Sequence, residues 1–185
     1  MSGPIYETLL EFSRTLRDDH LDEDLSRIEL PNNRVLDTQV IHARGKLDGR
    51  PVVVSYHSHW IVGSTYRPHI LEVFVTGNHL KTEAECRARS FLDDVLRWFG
   101  GGGLRGPDPI FTERRIDAAR DADLTDLDRP EFTARLANLS GLVYCHKVQI
   151  QAGTGINAWF HALPFQRSLP QLQALVRTVA DLAST

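Results

Sequence analysis

Histidines are the first residues of this sequence to consider as metal ligands, and the chain contains eight of them. His57 and His59 stand two positions apart in an extended segment, and strand residues two apart point to the same face. Two imidazoles can supply two ligands to zinc, and His69 is a candidate for the third ligand that a site needs. The alternatives for that third ligand are His79, Glu83 and Cys86. We favour the simpler interpretation, a polar sheet face without zinc or another cofactor, because histidine is ordinary there.

A nucleophilic cysteine is the second chemistry to consider. Cys145 and His146 are neighbours, and neighbouring strand residues point to opposite faces, so these two cannot share a hydrogen bond. His161, on the following strand, is a geometrically acceptable partner for Cys145. Buried cysteine is more often a small apolar core residue. We therefore predict no catalytic residue, and a histidine-dependent metal site or hydrolase remains the third functional alternative.

Composition restricts the class of protein. The 185 residues are 42% hydrophobic and 24% charged, as in one globular domain. A net charge of −3 provides no basic field that would recruit nucleic acid. The N terminus does not read as a signal peptide and the two cysteines lack metal-type spacing, so we expect a cytoplasmic protein with reduced thiols. No apolar run approaches the roughly 18 residues of a membrane span, so no membrane insertion is expected.

The elements that position these residues begin with an amphipathic helix from Pro4, and the acidic run at 18–24 that follows is predicted to be a solvated connector. It lacks the glycine of a calcium-binding EF-hand loop. A strand at 35–47, with Gly45 as a bulge, leads into the turn Asp48-Gly49, which is a strong signal for a type I′ hairpin. The chain returns through 52–57, and a third strand at 69–76 completes a meander.

The next element is predicted to be a helix from Thr82 to Gly100, because Thr82 and Glu85 match the capping-box pattern. Phosphate loops lead from a strand into a helix N-terminus. The glycine run here follows the predicted C-terminus of a helix, so we interpret it as a linker. The later segments are predicted as a strand at 108–118, a helix at 130–139, a hairpin around 153–155 and a final helix capped by Ser168.

This order, α-βββ-α-β-α-ββ-α, predicts an α+β fold with an antiparallel sheet and helices packed on it. We expect a single domain over 1–185. The glycine-rich linker separates two candidate halves, 1–99 and 108–185, and their similar element order is compatible with an internal duplication.

Two motifs resemble an uncharacterised bacterial domain family. The segment from Gly45 to Tyr56 fits its hairpin pattern G-x-L-x-G-R-P-V-x-V-x-Y, and the segment from Asp108 fits its D-P-x-F-x-x-R strand. The chain departs from the family at Ile116, where an aromatic residue is usual, and in its long segment at 58–68. The resemblance implies an architecture and brings no activity, substrate or catalytic residue.

Aromatic side chains outside the periodic patterns point to binding. Tryptophan and tyrosine anchor interfaces because they bury a large area at small entropic cost. We predict binding residues at Trp60, Tyr66, Arg67 and Trp98. The leading hypothesis is a non-catalytic protein-interaction or scaffold module with a protein partner or as a homodimer. The alternative is a client-binding protein, because the element order is also similar to secretion-chaperone-like folds.

Overall fold

A computed structural model of the chain describes residues 4–31, 34–62, 68–90, 92–93, 103–106, 108–119, 121–142 and 144–185. The helices are α1 (Pro4–Ser13), α2 (Ile110–Glu113), α3 (Pro130–Ser140) and α4 (Leu169–Ser184), with 3-10 turns at Thr125–Asp128 and Leu163–Phe165. The strands are β1 (Arg17–Leu30), β2 (Arg34–Leu47), β3 (Arg50–Ile61), β4 (His69–Thr76), β5 (Ala84–Ala88), β6 (Arg114–Asp117), β7 (Cys145–Gln151) and β8 (Gly155–His161).

The predicted α+β class is confirmed. The strands form one antiparallel sheet in the order β1-β2-β3-β4-β8-β7-β5-β6. The meander predicted around the Asp48-Gly49 turn is present as β2, β3 and β4. Asp48 and Gly49 have φ angles of 50° and 82°, as a type I′ turn requires at both central residues.

The chain divides into two compact units that are interleaved in sequence. Unit 1 comprises Met1–Val73 and Phe160–Val176, and unit 2 comprises Phe74–Trp159 and Arg177–Thr185. The boundaries fall within β4, β8 and α4. The sequence-based expectation of one domain with two candidate halves stays a prediction.

Unit 1 has its core between α1 and one face of the sheet. α1 buries Ile5, Leu9 and Phe12, as its helical spacing predicts, and contacts β2 and β1. Gly45 is not a bulge, because it pairs with Val52 in an unbroken β2–β3 register. A Cβ atom at Gly45 would lie 2.6 Å from Leu16 Cβ, so glycine permits the chain after α1 to cross close to β2. The register shift occurs instead in β1, between residues 17 and 20.

The helix predicted from Thr82 to Gly100 is wrong at Ala84–Ala88, which form strand β5. Residues 92–93 are helical, and residues 91 and 94–100 lie outside the described residues. Thr82 is fully buried, and its hydroxyl accepts a hydrogen bond from the backbone N–H of Asp126. The reciprocal hydrogen bonds of a capping box join Ser90 and Asp93 instead. A contact across 44 residues therefore outweighs a local capping pattern.

Two further expectations are corrected. The acidic run at 18–24 is not a connector, because it lies within strand β1. The predicted strand at 108–118 is shorter and is preceded by helix α2, whose residue Ile110 donates its N–H to the Asp108 carboxylate at 3.0 Å. The helix predicted at 130–139 is confirmed as α3, and the hairpin around 153–155 is confirmed as β7 and β8.

Unit 2 is built on β5, which pairs with both β6 and β7. Cys86, Ile116 and Val148 from these three strands are fully buried. No helix within the described residues is long and apolar enough to cross a membrane.

Candidate functional site

Strand β1 is the most exposed long element that the structure describes. It contains 14 residues, while strands commonly contain about five or six. It stands at the end of the sheet order and pairs with β2. Residues 23–29 are all exposed. An edge strand carries a row of backbone donors and acceptors that another chain can pair with.

The register identifies which backbone groups of β1 face outward. The residues flanking a two-residue hairpin turn, Leu47 and Arg50, form a hydrogen-bonded pair, and hydrogen bonding then alternates along the ladder. Odd-numbered residues of β2 therefore bond to β3, and the 2.9 Å bond from Val62 N to Val35 O agrees with this. Even-numbered residues of β2 bond to β1, where their partners are also even-numbered, as in the pair Val40 and Asp24.

The outward backbone groups consequently belong to five odd-numbered residues between the register shift and the end of β1. These are Leu21, Glu23, Leu25, Arg27 and Glu29. Each presents one N–H and one C=O away from β2, so the edge offers ten backbone hydrogen-bonding groups.

The side chains of β1 make the edge strongly acidic. Six carboxylates and two arginines give the strand a formal charge of −4 with His20 neutral. Strand β2 supplies hydrogen-bond partners for two of these carboxylates. Lys46 bonds to Asp18 at 2.7 Å, and the Gln39 amide donates to Glu23 at 2.7 Å. The strand contains no proline and no lysine, two residues that commonly protect sheet edges from pairing.

Two large apolar side chains of β1 are also exposed. Leu25 retains 66% of its accessible surface and Ile28 retains 48%. Their positions differ by an odd number, so they lie on opposite faces of the hairpin that β1 forms with β2. The edge thus combines open backbone groups, negative charge and one exposed apolar residue on each face.

The predicted histidine ligands are divided between the two faces of the sheet. His57 and His59 pair with Val40 and Thr38 and share one face. His69 is separated from them, because its Nδ1 lies 2.6 Å from the hydroxyl of Tyr56, whose ring is buried on the opposite face. Within the described ranges, no three His, Cys, Asp or Glu side chains are grouped so that they could hold a metal ion.

His57 has other neighbours on its own face. Its Nε2 donates to Glu72 at 3.1 Å, and its ring meets that of His42 edge to face at 6.2 Å. Burial is the main cause that lowers the pKa of His42, and the nearby Arg44 and His57 add to it. His42 therefore takes up a proton at a lower pH than an unperturbed imidazole does.

His42 and Ser55 share a hydrogen bond of 2.8 Å, the distance between a nucleophile and its general base. The two residues are directly opposite each other in the β2–β3 ladder, and both strands lie inside the sheet. Their backbone N–H groups are thus used by neighbouring strands and cannot converge on a substrate oxyanion, as acyl transfer requires. The pair is suited to holding two strands in register.

Of the predicted binding residues, Trp60 alone lies among the described residues. It is part of β3, paired with Asp37, and is partly buried. Tyr66, Arg67 and Trp98 lie outside the described residues. The exposed edge strand β1 includes residues 18–24, which the sequence interpretation assigned to a connector.

The two cysteines are buried in unit 2 and make no disulfide. Burial raises the pKa of Cys86 to about 11 and that of Cys145 to about 12. Both are therefore protonated at pH 7, and a protonated thiol is a poor nucleophile.

Two carboxylates of unit 2 are buried and accept several hydrogen bonds. Asp93, 1% exposed, receives two hydrogen bonds from Arg87 and one from Arg115. These bonds, with those from Ser90, hold the pKa of Asp93 far below its usual range. Asp126, 3% exposed, accepts the backbone N–H groups of Lys81 and Thr82, each at 2.8 Å.

A cavity of about 350 Å³ in unit 2 is lined by residues of the D-P-x-F motif. The Asp108 carboxylate accepts bonds from Ile110 N and, at 3.3 Å, from the Thr133 hydroxyl. The Phe111 ring lies where a Cβ atom of Gly106 would come within 2.7 Å. These contacts explain the motif through packing and the start of α2.

Comparisons with protein-family models, with curated proteins and with solved structures found no match to this chain. The resemblance to the uncharacterised bacterial family stays a prediction.

Proposed function

We propose that this chain is a non-catalytic protein-interaction module that binds an extended segment of a partner protein along β1. The observation that carries the proposal is the outward-facing backbone of five alternate residues in an exposed 14-residue edge strand. Addition of a strand to an open sheet edge is a recurrent mode of peptide recognition. Main-chain hydrogen bonds supply affinity in this mode, and alternate side chains supply specificity.

Main-chain pairing alone supports weak binding. Each hydrogen bond contributes a net of about 0.5–1.5 kcal/mol, so ten contribute about 10 kcal/mol. Ordering the backbone of a segment of similar length costs about 1–2 kcal/mol per residue. These two quantities nearly cancel, and side chains next to β1 must therefore decide which segments bind.

The proposed partner is a different protein rather than a second copy paired edge to edge at β1. Each of the two copies would bring six carboxylates to the shared edge, and like charges on adjacent strands are destabilising. The same negative charge disfavours nucleic acid. We propose a reducing, cytoplasmic setting, with which two free and buried cysteines are compatible.

Proline substitution at β1 tests the proposal. Leu25→Pro removes an outward N–H, a position at which an edge strand tolerates proline. Leu25→Thr removes the same leucine and retains that N–H. Extended peptides selected from a random display library against the wild-type protein should bind Leu25→Thr, and should bind Leu25→Pro at least about tenfold more weakly, a difference of about 1.4 kcal/mol.

Thermal unfolding provides the control. Ser26→Pro removes an N–H that bonds to β2 and should lower the melting temperature more than Leu25→Pro does. Selected peptides that bind Leu25→Pro and the wild-type protein equally would refute strand addition at this edge.

A second candidate function is the binding of unfolded client segments, as in secretion-chaperone-like folds. The exposure of Leu25 and Ile28 on opposite faces favours it, because a long client could contact both faces of the hairpin. Light scattering after size exclusion discriminates the two functions. A stable dimer that binds clients supports the chaperone-like function, and a monomer that binds short segments supports strand addition alone.

A further inference from the structure

We infer that the segment bound along β1 is rich in basic residues and also carries apolar ones. This inference rests on the proposed function, since it specifies the chemistry of the segment that pairs with the edge. Its support is the arrangement of charged and apolar side chains on each face of β1, together with the residues that oppose them on β2.

Three carboxylates of β1 lie opposite aliphatic residues of β2. One of them, Glu23, pairs with Ile41 and accepts a hydrogen bond from the Gln39 amide. Of the other two, Asp24 pairs with Val40 and Glu29 pairs with Val35. Both carboxylates are exposed. A cation that approaches them along the strand-pairing direction must therefore come from the outer side of β1, which is where an added strand would lie.

Two other carboxylates of β1 have basic partners on β2. Asp18 bonds to Lys46 at 2.7 Å, and Arg44 lies 3.7 Å from Asp22. The hydrogen bond to Lys46 lowers the pKa of Asp18. At Asp24 and Glu29 the added segment supplies the positive charge instead.

Each face of the edge offers both charge and apolar surface. One face carries Asp22 and Asp24 with Ile28. The other carries Glu23 and Glu29 with Leu25 and with Arg27, whose charge is paired with Asp37 at 2.7 Å. A strand in which basic and apolar residues alternate places all its basic residues on one face and all its apolar residues on the other. In either orientation its basic side chains meet two carboxylates and its apolar side chains meet one exposed apolar residue.

Charge also excludes other occupants. Directly opposed side chains on neighbouring antiparallel strands have Cβ atoms about 4.5–5.5 Å apart, where opposite charges attract and like charges repel. An acidic segment or a second β1 would place carboxylates at this separation. A basic segment gains from the same geometry, so the edge discriminates by charge as well as by backbone pairing.

Two synthetic peptides of about ten residues test the inference, one alternating lysine with valine and the other alternating glutamate with valine. Fluorescence anisotropy measures their affinity for the full chain at about 0.1 M and about 1 M salt, where the screening lengths are about 10 Å and 3 Å. At the lower salt concentration, the lysine–valine peptide should bind at least about tenfold more tightly than the glutamate–valine peptide. Most of this difference between the two peptides should vanish at the higher salt concentration.

A matched pair of double variants isolates the carboxylates. Asp24→Asn with Glu29→Gln removes one charge from each face of β1 and should weaken the lysine–valine peptide about threefold to tenfold at low salt. Asp121→Asn with Glu131→Gln removes the same net charge from exposed positions of unit 2 and should leave the affinity unchanged.

The outcomes separate this inference from the proposed function. If both peptides bind equally and Leu25→Pro abolishes both interactions, the basic preference is overturned while strand addition stands. If the lysine–valine peptide binds and Leu25→Pro binds it equally well, strand addition at β1 is overturned, and the inference falls with it. Equal weakening by the two double variants would show a general charge effect and would also overturn the inference.

Discussion

Replacing Asp126 by alanine should destabilise unit 2 through the backbone donors that its carboxylate accepts. The side-chain oxygen Oδ2 receives the N–H of Thr82, which is fully buried, and the N–H of Lys81, which is partly buried. A buried donor left without a partner costs about 1–3 kcal/mol, and a partly buried one costs less. The expected loss at these two donors is about 2–4 kcal/mol.

The substitution Asp126→Asn provides the matched comparison. The carbonyl oxygen of the new amide can still accept the two backbone N–H groups, and the charge that pairs with Arg129 at 2.7 Å is lost. Arg129 is 39% exposed, so solvent screening limits that pair to about 1 kcal/mol or less. The difference between the two variants therefore measures the acceptance of the backbone donors.

Equilibrium unfolding in urea, followed by tryptophan fluorescence and circular dichroism, measures this difference. With a denaturant slope of about 2 kcal/mol per molar, the alanine variant should unfold about 1–2 M earlier than the asparagine variant. Midpoints that agree within about 0.2 M would refute the assigned role of Asp126.

Three further outcomes follow from the geometry of named residues. Folding lowers the pKa of His42, so the unfolded state takes up the proton first and the free energy of unfolding falls below about pH 6.5. His42→Gln should make this fall smaller. Urea titrations at successive pH values measure it. Gly155→Ala should lower the free energy of unfolding by about 3 kcal/mol or more, because the new Cβ would lie 2.1 Å from Val75 O at a φ of +156°. Gly153→Ala in the same turn meets nothing within 4 Å and should lower it by about 1–2 kcal/mol. Equal melting temperatures for the two variants would contradict this. The pKa of Asp93 is depressed in the folded state, so protonation of this carboxylate lowers stability as the pH falls through and below the usual carboxyl range. Asp93→Asn should reduce that acid-dependent loss. An unchanged acid-unfolding midpoint would count against the role of the hydrogen bonds from Arg87 and Arg115.

The elements that were predicted correctly depend on local signals. Asp48-Gly49 fixes its hairpin because the pair tolerates the positive φ angles of the turn without help from distant residues. α1 follows from the spacing of Ile5, Leu9 and Phe12, which places all three on one buried side. Such features are encoded within a few residues and can therefore be inferred from the sequence.

β1 was not predicted because its acidic residues obscure a hairpin. The run at 18–24 has the charge of a solvated connector, and its place in the sheet depends on pairing with β2 about 20 residues later. One available signal was Pro31-Asn32-Asn33, a turn-like sequence between two runs of equal length. The segment after Thr82 was predicted wrongly for a similar reason, since its capping pattern is overridden by a bond to Asp126.

The candidate site requires information that no single segment contains. Which backbone groups of β1 face outward depends on its register with β2 and on which residues of β2 bond to β3. The turn at Asp48-Gly49 sets the second of these. The turn can be found in the sequence, whereas the pairing that connects it to the edge exists only in the fold. The histidines illustrate the same point. The two-residue period of a strand places His57 and His59 on one face, and this can be read from the sequence. That His69 lies on the other face is known only from the fold.

Residue-resolved amide exchange of β1 tests the central claim most directly. In the free protein, the odd-numbered amides from Leu21 to Glu29 should exchange rapidly, and the even-numbered amides between them should be protected by β2. Addition of the lysine–valine peptide should protect the odd-numbered amides and leave the rest of the chain little changed. Alternation absent from the free protein, or peptide-induced protection confined to other strands, would contradict the assignment of β1 as a binding edge.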